Sequence, residues 1–174
     1  MRSIGLIRRK CRVIQTNAGA DRAMDLRAVL VDELCARGKI LTPGVEAAFR
    51  RVPRERFMPE GTDLAVAYGY DSRVIIKRDE RGVALSSVSA AYSQARMLEQ
   101  AELRPGMAVL EVGSGGLNAA YIAEIVGPHG RVVSVDIDPE IVDRATALLE
   151  ETGYGGRVRV VVTDAEHGVP DEGA

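Results

Sequence analysis

Carboxylates and glycines stand where three apolar segments of the sequence end, in an order suited to binding a nucleoside. Glu111 comes two residues before a glycine turn that begins at Gly113. Asp136 ends the next apolar segment, and Asp164 follows the one after that. Backbone N–H groups in a glycine turn that opens a helix can approach a polar ligand closely. A carboxylate at the end of the following strand can accept hydrogen bonds from both hydroxyls of a ribose.

The spacing of the glycines favours S-adenosylmethionine (SAM) over a dinucleotide. A dinucleotide turn follows the pattern G-x-G-x-x-G, but its third glycine position is Asn118 here. Glu111 suits an ammonium or a sulfonium better than a pyrophosphate. Two alternatives stay open, a dinucleotide-dependent oxidoreductase and a turn that serves only packing, with Asp136 as a helix cap. The predicted cofactor contacts are Glu111, Gly113, Ser114, Gly115, Asp136, Ile137, Asp164 and Ala165.

A regular α/β unit is predicted to position these residues. Apolar runs predict strands over 107–112, 131–136 and 157–162, and the segments between them predict two helices. Asp138 is expected to cap the second of these helices, with Pro139 at its first position. Strands that alternate with helices through short turns are parallel and joined by right-handed crossovers. The fold class is therefore α/β and Rossmann-like, with three core strands of a partial parallel sheet.

The segment upstream of this unit predicts a helical region with two short irregular stretches. Leucines four residues apart predict an amphipathic helix over 24–37, and Thr42 followed by Pro43 predicts the start of another. The charged run within 53–59 is interrupted by prolines, which favours a solvated turn anchored by Phe57. A short strand is predicted over 73–77.

A cluster of hydroxyls precedes the last helix of this upstream region. Ser86, Ser87 and Ser89 come directly before a helix predicted over about 90–102, and one of them is a candidate N-cap. The sequence as a whole divides into three predicted regions. They are a loose N-terminal extension (1–20), a helical, substrate-side region (21–104) and a partial Rossmann-like SAM-binding domain (105–174).

Composition excludes several classes of function. The net charge of −2, the 4% aromatic content and the absence of Trp disfavour nucleic-acid binding. No apolar run is long enough for a membrane span or a secretory leader, so a cytoplasmic protein is expected. The two cysteines form no C-x-x-C pair and the two histidines lie in loop-like segments, so no metal centre is predicted.

The sequence resembles the protein-L-isoaspartate O-methyltransferase family over about residues 25–170. The segment Pro53–Glu60 is very close to that family's N-terminal signature, and Ser87–Tyr92 is similar to its Thr-Ile-Ser-x-Pro segment. Val109–Gly115, Val132–Asp136 and Thr163-Asp164 match its SAM motifs in order and spacing. The resemblance implies a class I methyltransferase fold with an N-terminal helical cap.

The same resemblance implies an activity and three residue roles. Members of this family methylate the carboxylate of isoaspartyl residues in proteins or peptides, with SAM as the methyl donor. Carried over to this sequence, Ser89 is the catalytic hydroxyl, Asp136 the ribose ligand and Asp164 the contact on the adenine side.

Two departures from the family pattern point to a particular branch. Ala91 stands where the family has a proline after the serine, and the glycine turn continues into Leu117 and Asn118. This form is more similar to a bacterial branch linked to the tailoring of peptide natural products. There the resemblance implies methylation of an Asp side chain in a modified peptide, which leads to aspartimide or isoaspartate.

The strand predicted over 107–112 is expected at an open edge of the sheet. A class I methyltransferase has a seven-stranded sheet, and the family would next supply the strand beside this one. We expect a homo-oligomer partner or a missing C-terminal half to cover this edge. The alternative to an active enzyme is a catalytically incomplete SAM-binding or interaction fragment.

Overall fold

The computed structural model describes residues 4–113 and 115–169, with side chains from residue 18 onward. Two 3-10 helices span Arg54–Phe57 and Ala165–His167. The α-helices are α1 (Ile4–Ala36), α2 (Pro43–Arg51), α3 (Leu64–Ala67), α4 (Ala91–Gln100), α5 (Leu117–Val126) and α6 (Pro139–Glu151). The strands are β1 (Val74–Arg78), β2 (Ala84–Val88), β3 (Ala108–Val112), β4 (Arg131–Asp136) and β5 (Val158–Val162). Among the helices described, none combines the length and apolar composition that crossing a bilayer requires.

The strands form two separate sheets. Strands β3, β4 and β5 are parallel and lie side by side in that order, with Val112 opposite Val135 and Val135 opposite Val161. Strands β1 and β2 form an antiparallel hairpin. The predicted α/β class and its three core strands are therefore confirmed, and the ends of the parallel strands lie at one edge of the sheet.

The two faces of the parallel sheet differ in burial. On one face, Val132 and Val158 pack in the core that α5 and α6 complete, and they are 1% and 5% exposed. On the other face, Leu110 and Val112 of β3 are 53% and 65% exposed, whereas Val135 of β4, opposite Val112, is fully buried. Strand β3 is the terminal strand, so within the described part of the chain nothing pairs with its outer edge.

Helix α1 corrects the expectation of a loose extension over residues 1–20. From Ile4 the chain is helical without interruption to Ala36, so the helix predicted over 24–37 begins much earlier. The reason is that this stretch contains no proline and several good helix formers, so no residue stops the helix. Residues 1–3 lie outside the described residues.

The N-terminal helices pack directly on the helix that follows the glycine turn. The rings of Phe49 in α2 and Tyr121 in α5 are stacked, with their centres 4.2 Å apart. Val31 and Leu34 of α1 belong to the same buried cluster. Helix α2 begins as predicted, and the Thr42 hydroxyl accepts a hydrogen bond from the amide of Val45 at 3.5 Å. The helical cap therefore fixes α5 from the side opposite the sheet's open face.

Candidate functional site

The glycine turn after β3 combines an open position with a crowded one. Gly113 has φ +94°, and a Cβ there would meet no atom within 4 Å. Its amide donates to the carbonyl of Val135 at 2.8 Å, which ties the turn to β4. Gly116 has φ +81°, and a Cβ there would lie 3.3 Å from the ring of Phe57. The turn is therefore held from behind while its front remains bare backbone. Ser114, one of the predicted contacts, lies outside the described residues.

Asp136 is half-buried at the end of β4, beside this turn. Its Oδ1 accepts the amide of Asp138 at 3.0 Å, and its carbonyl accepts the amide of Thr163 at 3.0 Å. Asp138 caps α6 as predicted, because its side chain accepts the amide of Glu140. Helix capping is thus the task of Asp138, so the alternative that Asp136 serves as the cap is wrong.

Asp164 and its neighbours extend the same edge after β5. The carboxylate of Asp164 is exposed and accepts the amide of Glu166 at 3.0 Å, at the start of the 3-10 helix that Ala165 opens. Ile137, which follows Asp136, is 71% exposed. Ile137 and Asp164 therefore follow the ends of two neighbouring strands, and both side chains are exposed at this edge.

Glu111 faces the covered side of the sheet and is buried. The Ser134 hydroxyl donates a hydrogen bond to its carboxylate, and the Asn118 side chain is a second partner. Burial raises the pKa of Glu111, while both hydrogen bonds oppose the shift. Glu111 therefore links β3 to β4 and α5 behind the turn, and its direct contact with a ligand stays a prediction.

Ser89 lies between β2 and α4 and is half-buried. The residue at the N-cap of α4 is Ala90, which makes no side-chain capping bond, so the prediction that a serine caps this helix is wrong. Ser86 and Ser87 belong to β2 instead, paired with Lys77 and Ile75 of β1. The strand forms because the whole segment pairs with β1, and its two serines do not prevent that.

Arg54 contacts the Ser89 segment, and the sequence does not predict this contact. The sequence predicts a solvated turn here, but Arg54 is only 1% exposed. Its Nε donates to the carbonyl of Ala67, its Nη1 to Oε1 of Gln94, and its Nη2 to the carbonyl of Ser89. The solvated-turn prediction is therefore wrong here, because acceptors from three other segments replace water around the guanidinium. The proline-flanked arginine followed by buried Phe57 is the signal that could have indicated this.

The β1–β2 hairpin joins the Ser89 segment to the sheet edge. The Nζ of Lys77 lies 2.6 Å from Oδ2 of Asp138 and 2.7 Å from Oε2 of Glu140. A Cβ built on Gly115 would lie 3.9 Å from Cδ1 of Ile76. The hairpin that leads into Ser89 therefore contacts the glycine turn and the start of α6, the two places that flank Asp136.

Comparison with known proteins places these features in one family. The family model described as Protein-L-isoaspartate(D-aspartate) O-methyltransferase matches residues 25–174. A protein-L-isoaspartate O-methyltransferase of Methanopyrus kandleri is 41% identical over 147 residues, which cover 84% of this chain and 62% of that protein. One from Hyperthermus butylicus is 35% identical, with 85% and 61% covered. The chain thus spans about three fifths of the length of these relatives.

Solved structures agree with the fold. A protein-L-isoaspartate O-methyltransferase structure superposes with a TM-score of 0.73 at 32% identity, covering 83% of this chain and 44% of the other. A second structure, from Plasmodium falciparum in complex with S-adenosyl-L-homocysteine, gives a TM-score of 0.64 at 18% identity, covering 78% and 62%. The Rossmann-like, class I methyltransferase fold is therefore confirmed.

Proposed function

Because this chain belongs to the protein-L-isoaspartate(D-aspartate) O-methyltransferase family, we propose that it is a SAM-dependent carboxyl O-methyltransferase. Its substrate is the carboxylate of an isoaspartyl or aspartyl residue in a peptide or protein. One observation carries the proposal. The β1–β2 hairpin, which leads into Ser89, contacts the start of α6 through Lys77 and the glycine turn through Ile76, and this supports a substrate side next to the nucleoside-type strand edge.

The residues at this edge fit SAM. The space in front of Gly113 leaves backbone groups accessible to a ligand. The side chain of Asp138 caps α6, which removes the need for Asp136 to do so and suits Asp136 to a ribose. In this proposal the backbone at Gly113 and Gly115 and the side chain of Asp136 hold the cofactor, with Ile137 on the apolar side of the adenine. Asp164 and Ala165 border the adenine, and Glu111 supports the turn from behind.

The chain's own residues have little acid–base work to do. SAM, when bound, supplies an electrophilic methyl group on a sulfonium. A substrate carboxylate is already ionised and nucleophilic at neutral pH, so no general base is needed. The Ser89 hydroxyl donates a hydrogen bond to one carboxylate oxygen and leaves the other free to attack. SAM held at the cofactor edge would supply its methyl group to that oxygen, and its sulfur would keep the electron pair of the carbon–sulfur bond and leave as a neutral thioether.

The location of Ser89 also favours an anionic substrate. Ser89 stands one residue before the N-cap of the ten-residue helix α4, where the helix dipole is positive. The segment is half-buried, so water is partly excluded from a carboxylate held there. Positioning and exclusion of water are the two effects on which such a methyl transfer depends.

A second candidate function rests on the open face of the sheet. Leu110 and Val112 lie just before the glycine turn, yet both are more than half exposed. A unit with this exposed face could bind SAM without turnover until another surface covers it. A homo-oligomer partner or a C-terminal half is the proposed cover, and the cytoplasm is the proposed location.

The Gly113–Asn118 form of the turn favours peptide tailoring over repair as the biological setting.

Radiolabelled methyl transfer to an isoaspartyl peptide tests the proposed activity. We expect wild type to label the peptide, and Ser89→Ala to lower kcat by about 100-fold, because it removes an oriented hydrogen bond to the reacting group. Ser86→Ala is the matched control, since this serine lies within β2 and should leave kcat unchanged. SAM binding without labelling by wild type would support the second candidate. Equal rates for wild type and Ser89→Ala would contradict the assigned role.

A further inference from the structure

Arg54 carries a buried positive charge without an ionic partner in the described part of the chain. Its side chain is among the largest that are fully buried. None of the ion pairs between described residues includes it; the neighbouring Arg56, by contrast, pairs with Glu151 at the surface. Burying a guanidinium costs free energy that neutral acceptors repay only in part. Packing alone therefore does not favour an arginine at this buried position, and the partners of its hydrogen bonds indicate its role.

Two of the hydrogen bonds of Arg54 converge on the segment that carries Ser89. The distance from Nη2 to the Ser89 carbonyl is 2.7 Å, and Nη1 donates to the side chain of Gln94 in the first turn of α4. The backbone N–H of Gln94 in turn donates to the carbonyl of Ala90 at 3.1 Å. The third bond, 2.7 Å to the carbonyl of Ala67, anchors the guanidinium to α3. One planar fork therefore fixes both sides of the junction between β2 and α4.

Other contacts of the same 3-10 helix keep this fork in place. Glu55 accepts hydrogen bonds from Arg27 and from the Tyr68 hydroxyl. Phe57 is fully buried, and its carbonyl accepts from Arg144 of α6 at 2.7 Å. The segment therefore touches α1, α3 and α6, and it supports the glycine turn at Gly116 with one end and the Ser89 junction with the other.

From this geometry we propose that Arg54 is a positioning residue that sets the Ser89 hydroxyl for methyl transfer by holding the Ser89 carbonyl and Gln94 together. The inference rests on the proposed function. Arg54 itself does not touch the substrate. Its fork matters more than its charge, because a lysine ammonium is a compact donor that cannot span three separate acceptors.

Arg54→Lys tests whether the fork or the charge matters, because it keeps the charge and removes the fork. Arg56→Lys in the same 3-10 helix is the matched control. We expect Arg54→Lys to lower kcat for the isoaspartyl peptide about 30-fold, since small displacements of a reacting group have effects of this order. The dissociation constant for SAM should change less than about 2-fold, because the cofactor edge is untouched. Arg56→Lys should match wild type in both. A fall in SAM affinity equal to the fall in kcat would show a general structural role and overturn the proposal.

A double mutant tests whether Arg54 acts through Ser89. If it does, Arg54→Lys combined with Ser89→Ala should be no slower than Ser89→Ala alone, because the hydroxyl that Arg54 positions is already gone. Additive losses would overturn the proposal.

Backbone hydrogen exchange supplies a readout that does not need turnover. Arg54→Lys should speed exchange of the amides of 90–94 by about 10-fold, whereas Arg56→Lys should not. If wild type methylates no peptide, the proposed activity fails, and faster exchange in Arg54→Lys would still support Arg54 as the clamp of this junction. Unchanged exchange in Arg54→Lys would overturn the clamp itself.

Discussion

The two sides of the candidate site are built in different ways. The cofactor edge belongs to a regular α/β unit, in which neighbouring strands and helices place Gly113, Asp136 and Asp164 through backbone hydrogen bonds. The Ser89 side is a two-stranded hairpin and a helix start, joined to distant parts of the chain by two side chains. Arg54 reaches the Ser89 carbonyl from the preceding 3-10 helix, and Lys77 of the hairpin reaches Asp138. The cofactor edge is therefore expected to tolerate polar substitutions at neighbouring residues. The Ser89 side depends on a few long-range contacts.

Gly116→Ala should give the largest loss of stability, because it strikes the point where the two sides meet. The added Cβ would lie 3.3 Å from Phe57 and 3.4 Å from Ala145, and φ is +81°. We expect a loss of about 3 kcal/mol in the free energy of unfolding, measured with urea. Gly106→Ala, at φ +85° with no atom within 4 Å, is the matched control and should cost about 1 kcal/mol. Equal losses would mean that Phe57 does not support the turn.

Lys77→Met should give a smaller effect, confined to the Ser89 side. It removes the two ion pairs that hold the hairpin to α6. We expect KM for the peptide to rise about 3-fold while the affinity for SAM changes less than 2-fold, because these pairs are solvent-screened. Lys39→Met is the matched control and should leave both values unchanged. A loss of SAM affinity larger than the rise in KM would show that the hairpin belongs to the cofactor side.

The same contact predicts a pH dependence. The hydrogen bond that Lys77 donates to Asp138 holds the pKa of Asp138 below its ordinary value of 3.8, and the same bond raises the pKa of Lys77 above 10.5. The stabilisation from Asp138 is therefore present above pH 3.8 and lost as the pH falls through the lower, folded value. The stabilisation from Lys77 is present below pH 10.5 and lost as the pH rises through the higher, folded value. The difference in the free energy of unfolding between wild type and Lys77→Met should accordingly vanish at both low and high pH.

How far the sequence predicts the site follows the same division. The strands of the cofactor edge are predictable, because apolar runs such as Met107–Leu110 and the Asp138-Pro139 cap are local signals. Helix α2 is predictable for the same reason, through Thr42 and Pro43. Only local patterns are needed at this edge, since the parallel crossover rule then brings the strand ends together.

The Ser89 side is less predictable because its determinants are distant in sequence. The acceptors of Arg54 lie 13, 35 and 40 residues away, and two are backbone carbonyls that any residue type would supply. A charged run between prolines therefore reads as solvated. Strand β2 carries two serines and shows no alternation of apolar and polar residues. The turn at 79–82, which lies between β1 and the apolar run 83–85, is nevertheless a hairpin signal.

Calorimetric titration of SAM tests the central claim that the β3–β5 edge is a SAM site read by Asp136. We expect wild type to bind and Asp136→Ala to bind about 30-fold more weakly, since it loses charge-assisted hydrogen bonds to the ribose. Asp143→Ala, an exposed carboxylate on α6, is the matched control and should bind as wild type does. No binding by wild type, or equal binding by wild type and Asp136→Ala, would contradict the account.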